Sequence, residues 1–431
     1  MALRFRAGFA RCDVTPPAGT PMSGFVARTG GATGIHDRLW ARAAAFDDGT
    51  RTLVAIVLDV LAVDAALTAA VRAAVATREA VAEGDVVLAA THTHGGPALL
   101  TEALLGTVVP GVRERLVDGA AAAALAALTD LSDAEVTFAV GREATVARNR
   151  RVPDGVIDPD VPVALVRRNG AVAGILTGYA CHPVVLGPDN RRFTRDYPGA
   201  VIDALEKRWP GAVAIFLTGA CGQINTGHPA NASLAIAPSP HRTFAAARDY
   251  GGHLAAAAVD AAQSARTLRS TPLRASRRSV SLPLTPPPRD SAADHADWRT
   301  ELARLAPDDH ARRADLEARS TWAERVSHRK PAPVEVEVAC WSLGDLAIAW
   351  FPGEVFVEHG LELKATDDGP LIVVANALDA PGYVPHASAY LAGGYEVTEA
   401  FRYYGRPGPF APTAGEALAA TMQALLQEVR A

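Results

Sequence analysis

The stretch that most constrains this chain runs from Thr52 to Pro97. Thr52 to Val60 is an apolar run of strand length, Asp64 to Val81 is Ala-rich with helical spacing, and Val86-Val87-Leu88-Ala89-Ala90 is a second apolar run. That order makes a strand–helix–strand unit, a building block of α/β sheets. Its second strand empties into Thr91-His92-Thr93-His94-Gly95-Gly96-Pro97, where two glycines and a proline end it in a turn. On an extended segment, side chains two apart point the same way, so His92 and His94 are expected to face one site. Ligands of open α/β sheets bind beyond the carboxyl ends of strands, which is where this pair falls. Two imidazoles there, backed by glycines that leave room for a ligand, suit a metal-dependent hydrolase. The plainer alternative is a pair of exposed turn histidines.

Strands and helices continue along the chain. Arg6 to Val14, Ala41 to Phe46, Ala134 to Val140 and Ala212 to Leu217 read as strands, and Val112 to Asp130 and Phe244 to Leu268 as Ala/Leu-rich helices. Asn169-Gly170 is a strong hairpin signal between Val161–Arg167 and Ala171–Tyr179. The second hairpin strand delivers Tyr179-Ala180-Cys181-His182-Pro183, so His182 also sits where a proline ends a strand. A further hairpin, Glu335–Trp341 with Leu346–Phe351, ends in Pro352-Gly353-Glu354. Leu371 to Asn376 is the last clear strand, followed by a Gly/Tyr-rich loop through Pro409 and a closing helix, Ala414 to Val429. Between them, Pro286-Pro287-Pro288 and Lys330-Pro331-Ala332-Pro333 bracket a charged helical hairpin, expected on the surface and pinned by Trp298 and Trp322 rather than acting as a lid. The expected fold is α/β, with mixed β-sheets flanked by helices in a layered αββα-like sandwich. Residues 1–431 are expected to form a single catalytic domain with a helical insertion at about 285–333.

Composition narrows the function classes. At 431 residues and 49% hydrophobic content the chain can bury a large core. A formal net charge of −5 points away from a nucleic-acid partner. The richest apolar stretch, Leu53 to Val71, contains Asp59 and Asp64, so no integral membrane segment is expected. Met1-Ala2-Leu3-Arg4-Phe5-Arg6 lacks the apolar core of a signal peptide, and Cys12, Cys181, Cys221 and Cys340 lie far apart. Reduced, buried cysteines and a cytoplasmic location are therefore expected. The oligomeric state is not fixed by the sequence.

Three strands thus end in His92/His94, His182 and Glu354, each with glycine or proline beside it. Singly these read as a turn histidine, a core histidine and an acid at a helix start. Together, two imidazoles and a carboxylate make a frequent catalytic zinc set with positions left open for water and substrate, so Zn2+ is the expected cofactor. In Ala147-Arg148-Asn149-Arg150-Arg151, three arginines in four residues would ordinarily be a solvated surface. The small residues of Thr218 to His228 suggest close backbone approach to a ligand or another loop.

The stretches Cys12-Asp13-Val14-Thr15-Pro16-Pro17, Gly34-Ile35-His36-Asp37-Arg38-Leu39, Thr91-His92-Thr93-His94-Gly95-Gly96-Pro97 and Pro352-Gly353-Glu354 resemble the neutral/alkaline non-lysosomal ceramidase family, in the family's order. The resemblance covers nearly the whole chain, to the family's catalytic N-terminal domain, as a short form lacking the C-terminal β-sandwich domain. It implies zinc ligands His92, His182, Glu354 and a tyrosine of the late loop. The family has two tyrosines there twelve apart, a spacing that Tyr383 and Tyr395 share (395 − 383 = 12). This makes Tyr383 the ligand and Tyr395 a hydroxyl beside the substrate. It also assigns His94 to the family's second motif histidine and Arg150, after Asn149, to its catalytic arginine. Asn225 stands where the family has an active-site serine, so there it donates or orients only.

These residue types fit metal-assisted amide hydrolysis. Zinc acidifies water, His94 takes and returns the proton, and Arg150 and Tyr395 donate to the oxyanion. The expected substrate is a small-molecule amide or a lipid-like one, an N-acyl amine. Hydrolysis or formation of a lactone or cyclic amide on the same metal site, and non-catalytic metal or ligand binding, are the alternatives.

Overall fold

The computed structural model describes residues 5–77, 81–234, 236–269, 272–287, 291–326 and 329–431. The start of the leader reading (1–4), part of the expected helix end (78–80) and Pro288 lie outside them. Among the described residues, three sheets of four long strands each meet around an inner core. The first holds β1 (Arg6–Asp13), β2 (Trp40–Asp47), β3 (Thr52–Leu58) and β4 (Val86–Ala90), in the order β4-β3-β2-β1. Helices α1 (Ala65–Ala76) and α2 (Val112–Thr129) pack on its outer face. The second holds β5 (Glu135–Arg142), β6 (Asp160–Arg168), β7 (Ala171–Tyr179) and β8 (Val213–Thr218), ordered β8-β7-β6-β5, under α3 (Asp196–Arg208) and α4 (Phe244–Ala262). The third begins with β9 (Arg274–Leu282). Helices α5 (Ser291–Arg304) and α6 (His310–Val326) intervene before β10 (Val334–Leu343) and β11 (Leu346–Trp350). Then come α7 (Val357–Ala365), β12 (Leu371–Val374) and α8 (Pro412–Arg430). Its order is β9-β10-β11-β12, with α8 on its outer face.

Side-chain alternation explains the layering. Leu53, Ala55 and Val57 of β3 enter the inner core, while Val54, Ile56 and Leu58 meet the outer helices. A strand buried on both faces is a continuous apolar run, as β3 and β4 are in sequence. The inner core joins Phe9 and Phe46 of the first sheet to Leu176 and Ile215 of the second and Trp341, Ile348 and Trp350 of the third. Helix α1 starts where Asp64 accepts the Leu67 amide at 2.7 Å, and buries Leu67, Val71 and Val75 at helical spacing. The mixed α/β architecture is as expected, with a third sheet added to the inner layer.

Each sheet is antiparallel except at one edge, where β3 pairs with β4, β7 with β8 and β11 with β12 in parallel. The chain leaves all three pairs toward the same place. There the sheets are tied together: Thr218 Oγ1 donates to the Thr91 carbonyl at 2.8 Å, Ala375 N to Thr218 at 2.8 Å and Ala90 N to Asn376 at 3.0 Å.

Two elements depart from the sequence reading. Strand β9 was not foreseen, because Arg-Ala-Ser-Arg-Arg-Ser-Val-Ser-Leu shows little apolar alternation; it is an edge strand paired only with β10. The long helix ends at Ala262, and Arg266–Thr267 instead adds a short edge to the second sheet. The inserted hairpin α5–α6 is pinned as expected, with Trp298 and Trp322 buried beside Phe401 and Trp322 Nε1 donating to the Arg406 carbonyl at 2.7 Å. No helix among the described residues is long and apolar enough to cross a membrane.

Because Ile348 lies at the junction of the sheets, Ile348→Ala is expected to cost about 2–5 kcal/mol in urea denaturation. Leu391→Ala, at a fully exposed side chain, is expected to stay within about 0.5 kcal/mol of the parent. Equal effects would contradict the placement of the inner core.

Candidate metal centre

Strand β4 stops at Ala90, and His92 takes a φ of 66° in the left-handed region, rare for a residue other than glycine. Alternation along a strand therefore does not bring His92 and His94 together; the turn does. Their rings lie 5.3 Å apart and nearly perpendicular. Several contacts hold the turn. Thr91 Oγ1 donates to Asp59 at 3.2 Å, Thr93 Oγ1 to the Thr194 carbonyl at 2.8 Å, and Thr194 N to Gly95 at 3.1 Å. Asp37 clamps that Thr194 segment, accepting from Thr194 Oγ1 at 2.7 Å and from Arg195 Nε at 2.8 Å. The Gly34–Leu39 motif thus acts behind the histidine turn rather than in it.

Three imidazoles are oriented alike. His92 Nδ1 lies 2.6 Å from the Leu61 carbonyl, His94 Nδ1 3.1 Å from that of Gly24, and His182 Nδ1 2.7 Å from that of Cys221. A carbonyl only accepts, so each Nδ1 carries the hydrogen and each Nε2 presents a lone pair. This is how proteins orient metal-binding histidines. Potential ligand atoms of the three lie within 4.8 Å of one another. The Nε2 atoms of His92 and His94 are buried without a hydrogen-bond partner. Gly24 makes the approach of His94 possible, since a Cβ there would stand 2.4 Å from Nδ1 and the backbone has a φ of +99°.

The carboxylate arrives from the third sheet. After Trp350 the chain turns at Gly353, with a φ of 64°, into a two-residue parallel ladder in which Glu354 is the register partner of Tyr383. Glu354 Oε2 stands 2.7 Å from His182 Nε2 and 3.4 Å from His92 Nε2, and Tyr404 donates its hydroxyl to Oε1. Tyr383 OH is 3.4 Å from His182 Nε2. Burial opposes ionisation of Glu354, but the His92 and His182 rings beside it outweigh that cost and hold the carboxyl well below its usual range. Two unprotonated nitrogens and a carboxylate oxygen converging in a buried space repel unless a cation lies between them. The donor set therefore fits a divalent metal that favours nitrogen and oxygen. Burial, with His92 and His182 beside it, keeps His94 well below the usual histidine value.

Arg150 and Arg151 are not a solvated surface. Arg150 Nε donates to Glu396 at 2.7 Å, and its Nη2 to Tyr383 OH at 3.1 Å and to the Gly222 carbonyl at 3.0 Å. Arg151 takes the other oxygen of Glu396 at 2.7 Å. Composition pointed the other way because the buried carboxylate that pairs with both arginines lies 245 residues further on. His94, Arg150, Asn225, Glu354, Tyr383 and Tyr395 all line one cavity of about 190 Å³. Asn225 spends its amide on its own loop, accepting from the Gly227 and His228 amides at 2.9 and 3.0 Å and donating to the His228 carbonyl at 2.6 Å. The Tyr395 ring stands 5.8 Å from that of Tyr383. Sequence reasoning missed Glu396 and Tyr404, and also Arg319, which α6 of the inserted hairpin brings to the cavity wall. Tyr404 lies in the same late loop as Tyr383 and Tyr395, which was its only signal.

The family model described as neutral/alkaline non-lysosomal ceramidase, N-terminal, matches residues 5–228. The chain belongs to that family. The neutral ceramidase of Pseudomonas aeruginosa (strain PAO1) is 29% identical over 220 residues, covering 44% of this chain and 33% of that protein. The match thus spans a third of the curated relative. The crystal structure of neutral ceramidase from Pseudomonas aeruginosa superposes with a TM-score of 0.78 at 21% identity, over 100% of this chain and 75% of that one. A ceramidase complexed with C2 gives 0.76 at 20% identity, over 99% and 76%. At these identities the structures establish a shared fold. The family match contains His92, His94, Arg150, His182 and Asn225, while Glu354, Tyr383 and Tyr395 lie beyond it.

The close approach at Gly24 is testable. Gly24→Ala is expected to destabilise the protein by more than about 1 kcal/mol, from the left-handed backbone and the collision with His94. Gly252→Ala, in α4 with no atom near the added methyl, is expected to be neutral or to stabilise by up to about 1 kcal/mol. Chemical denaturation of the two variants reads the difference.

Proposed function

We propose that this chain is a Zn2+-dependent hydrolase that cleaves a linear amide of the N-acyl amine class. The observation that carries the reading is the convergence of three imidazoles, each fixed through Nδ1, with a buried carboxylate in a cavity that also holds Arg150. Family membership supports it. Ceramide, the substrate named for the Pseudomonas relative, is itself a linear amide.

His92, His182, Glu354 and Tyr383 would hold the metal. The first three come from the ends of three different sheets, and the Tyr383 hydroxyl is turned toward them by Arg150. When bound, zinc supplies Lewis acidity that polarises a carbonyl and acidifies water. His94 is assigned to proton transfer. Its ring centre lies 6.2 Å from that of His182, against 4.7 Å between His92 and His182, so it stands outside the tighter pair. Its surroundings keep it neutral, with Nε2 free to accept a proton from the attacking water and return it to the departing amine. Arg150 keeps its charge through Glu396 and serves the oxyanion, with the Tyr395 hydroxyl as a second donor. Asn225 orients the loop at the cavity wall through its turn, in place of the reactive hydroxyl a serine would offer.

Metal analysis of the purified protein is expected to find about one zinc per chain. His182→Ala should lose it. His94→Ala should retain the metal and lose about 10²- to 10⁴-fold in amide turnover. Unimpaired turnover in His94→Ala would remove the proton-transfer assignment, and a zinc-free active protein would remove the reading as a whole.

The hold of Tyr404 on Glu354 gives a separate measurement. Tyr404→Phe is expected to weaken zinc affinity about 10- to 100-fold, the usual cost of removing a group that orients a ligand. Competition with a chromogenic chelator would report it, and an unchanged affinity would place Glu354 outside the metal set.

A further inference from the structure

The cavity that holds the metal centre is also lined by Arg242 and Phe25, and by His228, Asn231 and Ser233 of the following loop. Arg242 is buried, and its guanidinium meets only backbone carbonyls: Val185 from Nε at 3.4 Å, Ala232 from Nη1 at 3.1 Å, and Val184 and Leu186 from Nη2 at 3.2 Å each. Asp189 and Asp196 attract it from a distance without forming an ion pair. The oxygens of Asp196 are already taken by the Leu186 amide at 3.0 Å and the Tyr197 amide at 2.7 Å.

Arg28, which is not among the residues lining the cavity, is likewise hydrogen-bonded only to carbonyls. It donates to the Ser23 and His94 carbonyls at 2.8 Å each, and its Nε is buried without a partner. Both guanidiniums lie over Phe25, at 4.8 and 5.6 Å from the ring centre. Among the cavity-lining arginines, Arg150 and Arg319 are ion-paired, Arg150 with Glu396 and Arg319 with Asp315 and Glu399. The wall near Phe25 therefore holds two buried guanidiniums with no carboxylate in ion-pair contact, an arrangement that a protein tolerates at a cost unless an anion completes it. At about 190 Å³ the cavity is also smaller than the pockets of about 300–1,000 Å³ that take drug-sized ligands.

The geometry points to a small anionic substrate: an amide carrying a carboxylate that Arg242 receives while its scissile carbonyl lies between His94 and Arg150. This rests on the hydrolase reading above and names the substrate class of that site. Carbonyls take four of the five N–H groups of Arg242, so the carboxylate would be received by the remaining Nη1 hydrogen, and in a buried cavity such a charge-assisted bond is stronger than one between neutral groups.

Matched amides in which a carboxylate is replaced by a methyl group test it. N-acetyl-β-alanine is compared with N-propylacetamide, and N-propylsuccinamic acid with N-propylbutanamide, so that the acid lies on the amine or the acyl side. Amine release by the zinc-loaded protein is expected to give the acid at least about a tenfold higher kcat/KM in one of the pairs. Arg242→Gln should lower that acid-to-neutral ratio about tenfold, and Arg242→Lys should lower it less. Absence of a wild-type preference for the acid in both pairs overturns the proposal, whether or not the variants fold. So does an unchanged ratio in Arg242→Gln, since a residue that only braces the loop would lower both substrates alike. If none of the four is cleaved, the hydrolase reading fails for this class. Calorimetric titration of the same acids and neutral partners then judges the anion site by itself, and binding without preference for the acid overturns it.

Discussion

Three hydrogen bonds from imidazole Nδ1 to backbone carbonyls set the chemistry of this protein. They fix the tautomer of His92, His94 and His182 and so direct three Nε2 lone pairs inward. The accepting carbonyls belong to unrelated parts of the chain: Leu61 after β3, Gly24 in the long loop before β2, and Cys221 after β8. Their positions depend in turn on the registers of the parallel pairs, Leu58 opposite Ala90 and Tyr179 opposite Thr218. A slip of one residue in either pair would reverse every side chain on the strand. The hydrophobic inner faces that forbid such a slip are therefore part of the site, although none of those residues touches it.

Charge is distributed around this framework with few surpluses. Glu354 meets two imidazoles on one oxygen and the Tyr404 hydroxyl on the other, and Glu396 serves both Arg150 and Arg151. The hairpin α5–α6 adds a second network in which Asp315 accepts from Arg319 at 3.0 Å and from the Tyr403 hydroxyl. The hairpin thus does more than rest on the surface. It braces the loop carrying Tyr395, Glu396 and Tyr404 and contributes Arg319 to the cavity. Against these ion pairs, Arg28 and Arg242 differ in that their hydrogen bonds go to carbonyls alone.

Much of the fold was legible because its strands are buried on both faces and several of its helices are Ala-rich, although the long helix stops at Ala262, before the end its composition suggested. His182 and Glu354 were legible for a local reason: proline or glycine ends the strand beside each. His92 and His94 were paired for the wrong reason, since a left-handed turn, not strand alternation, sets their rings at one point. Strand β9 was not legible, because its exposed edge position asks for no apolar alternation. Glu396 and Tyr404 were beyond reach for a different cause. Their meaning comes from contacts with Arg150 and Glu354, and nothing in the local pattern of the late loop separates them from other polar residues.

The left-handed backbone at His92 explains why the surroundings of the turn are so heavily bonded. A non-glycine residue in that region costs on the order of 1–3 kcal/mol and persists only where its neighbours determine it several times over. Here the neighbours are Asp59 on Thr91, Thr194 on Thr93 and Gly95, and Arg28 on the His94 carbonyl. The last of these is a guanidinium, and it shares the Phe25 ring with Arg242. The cationic wall of the cavity and the histidine turn are consequently one mechanical unit. A substrate group held by that wall would be positioned relative to His94 by two arginine side chains and the ring they share.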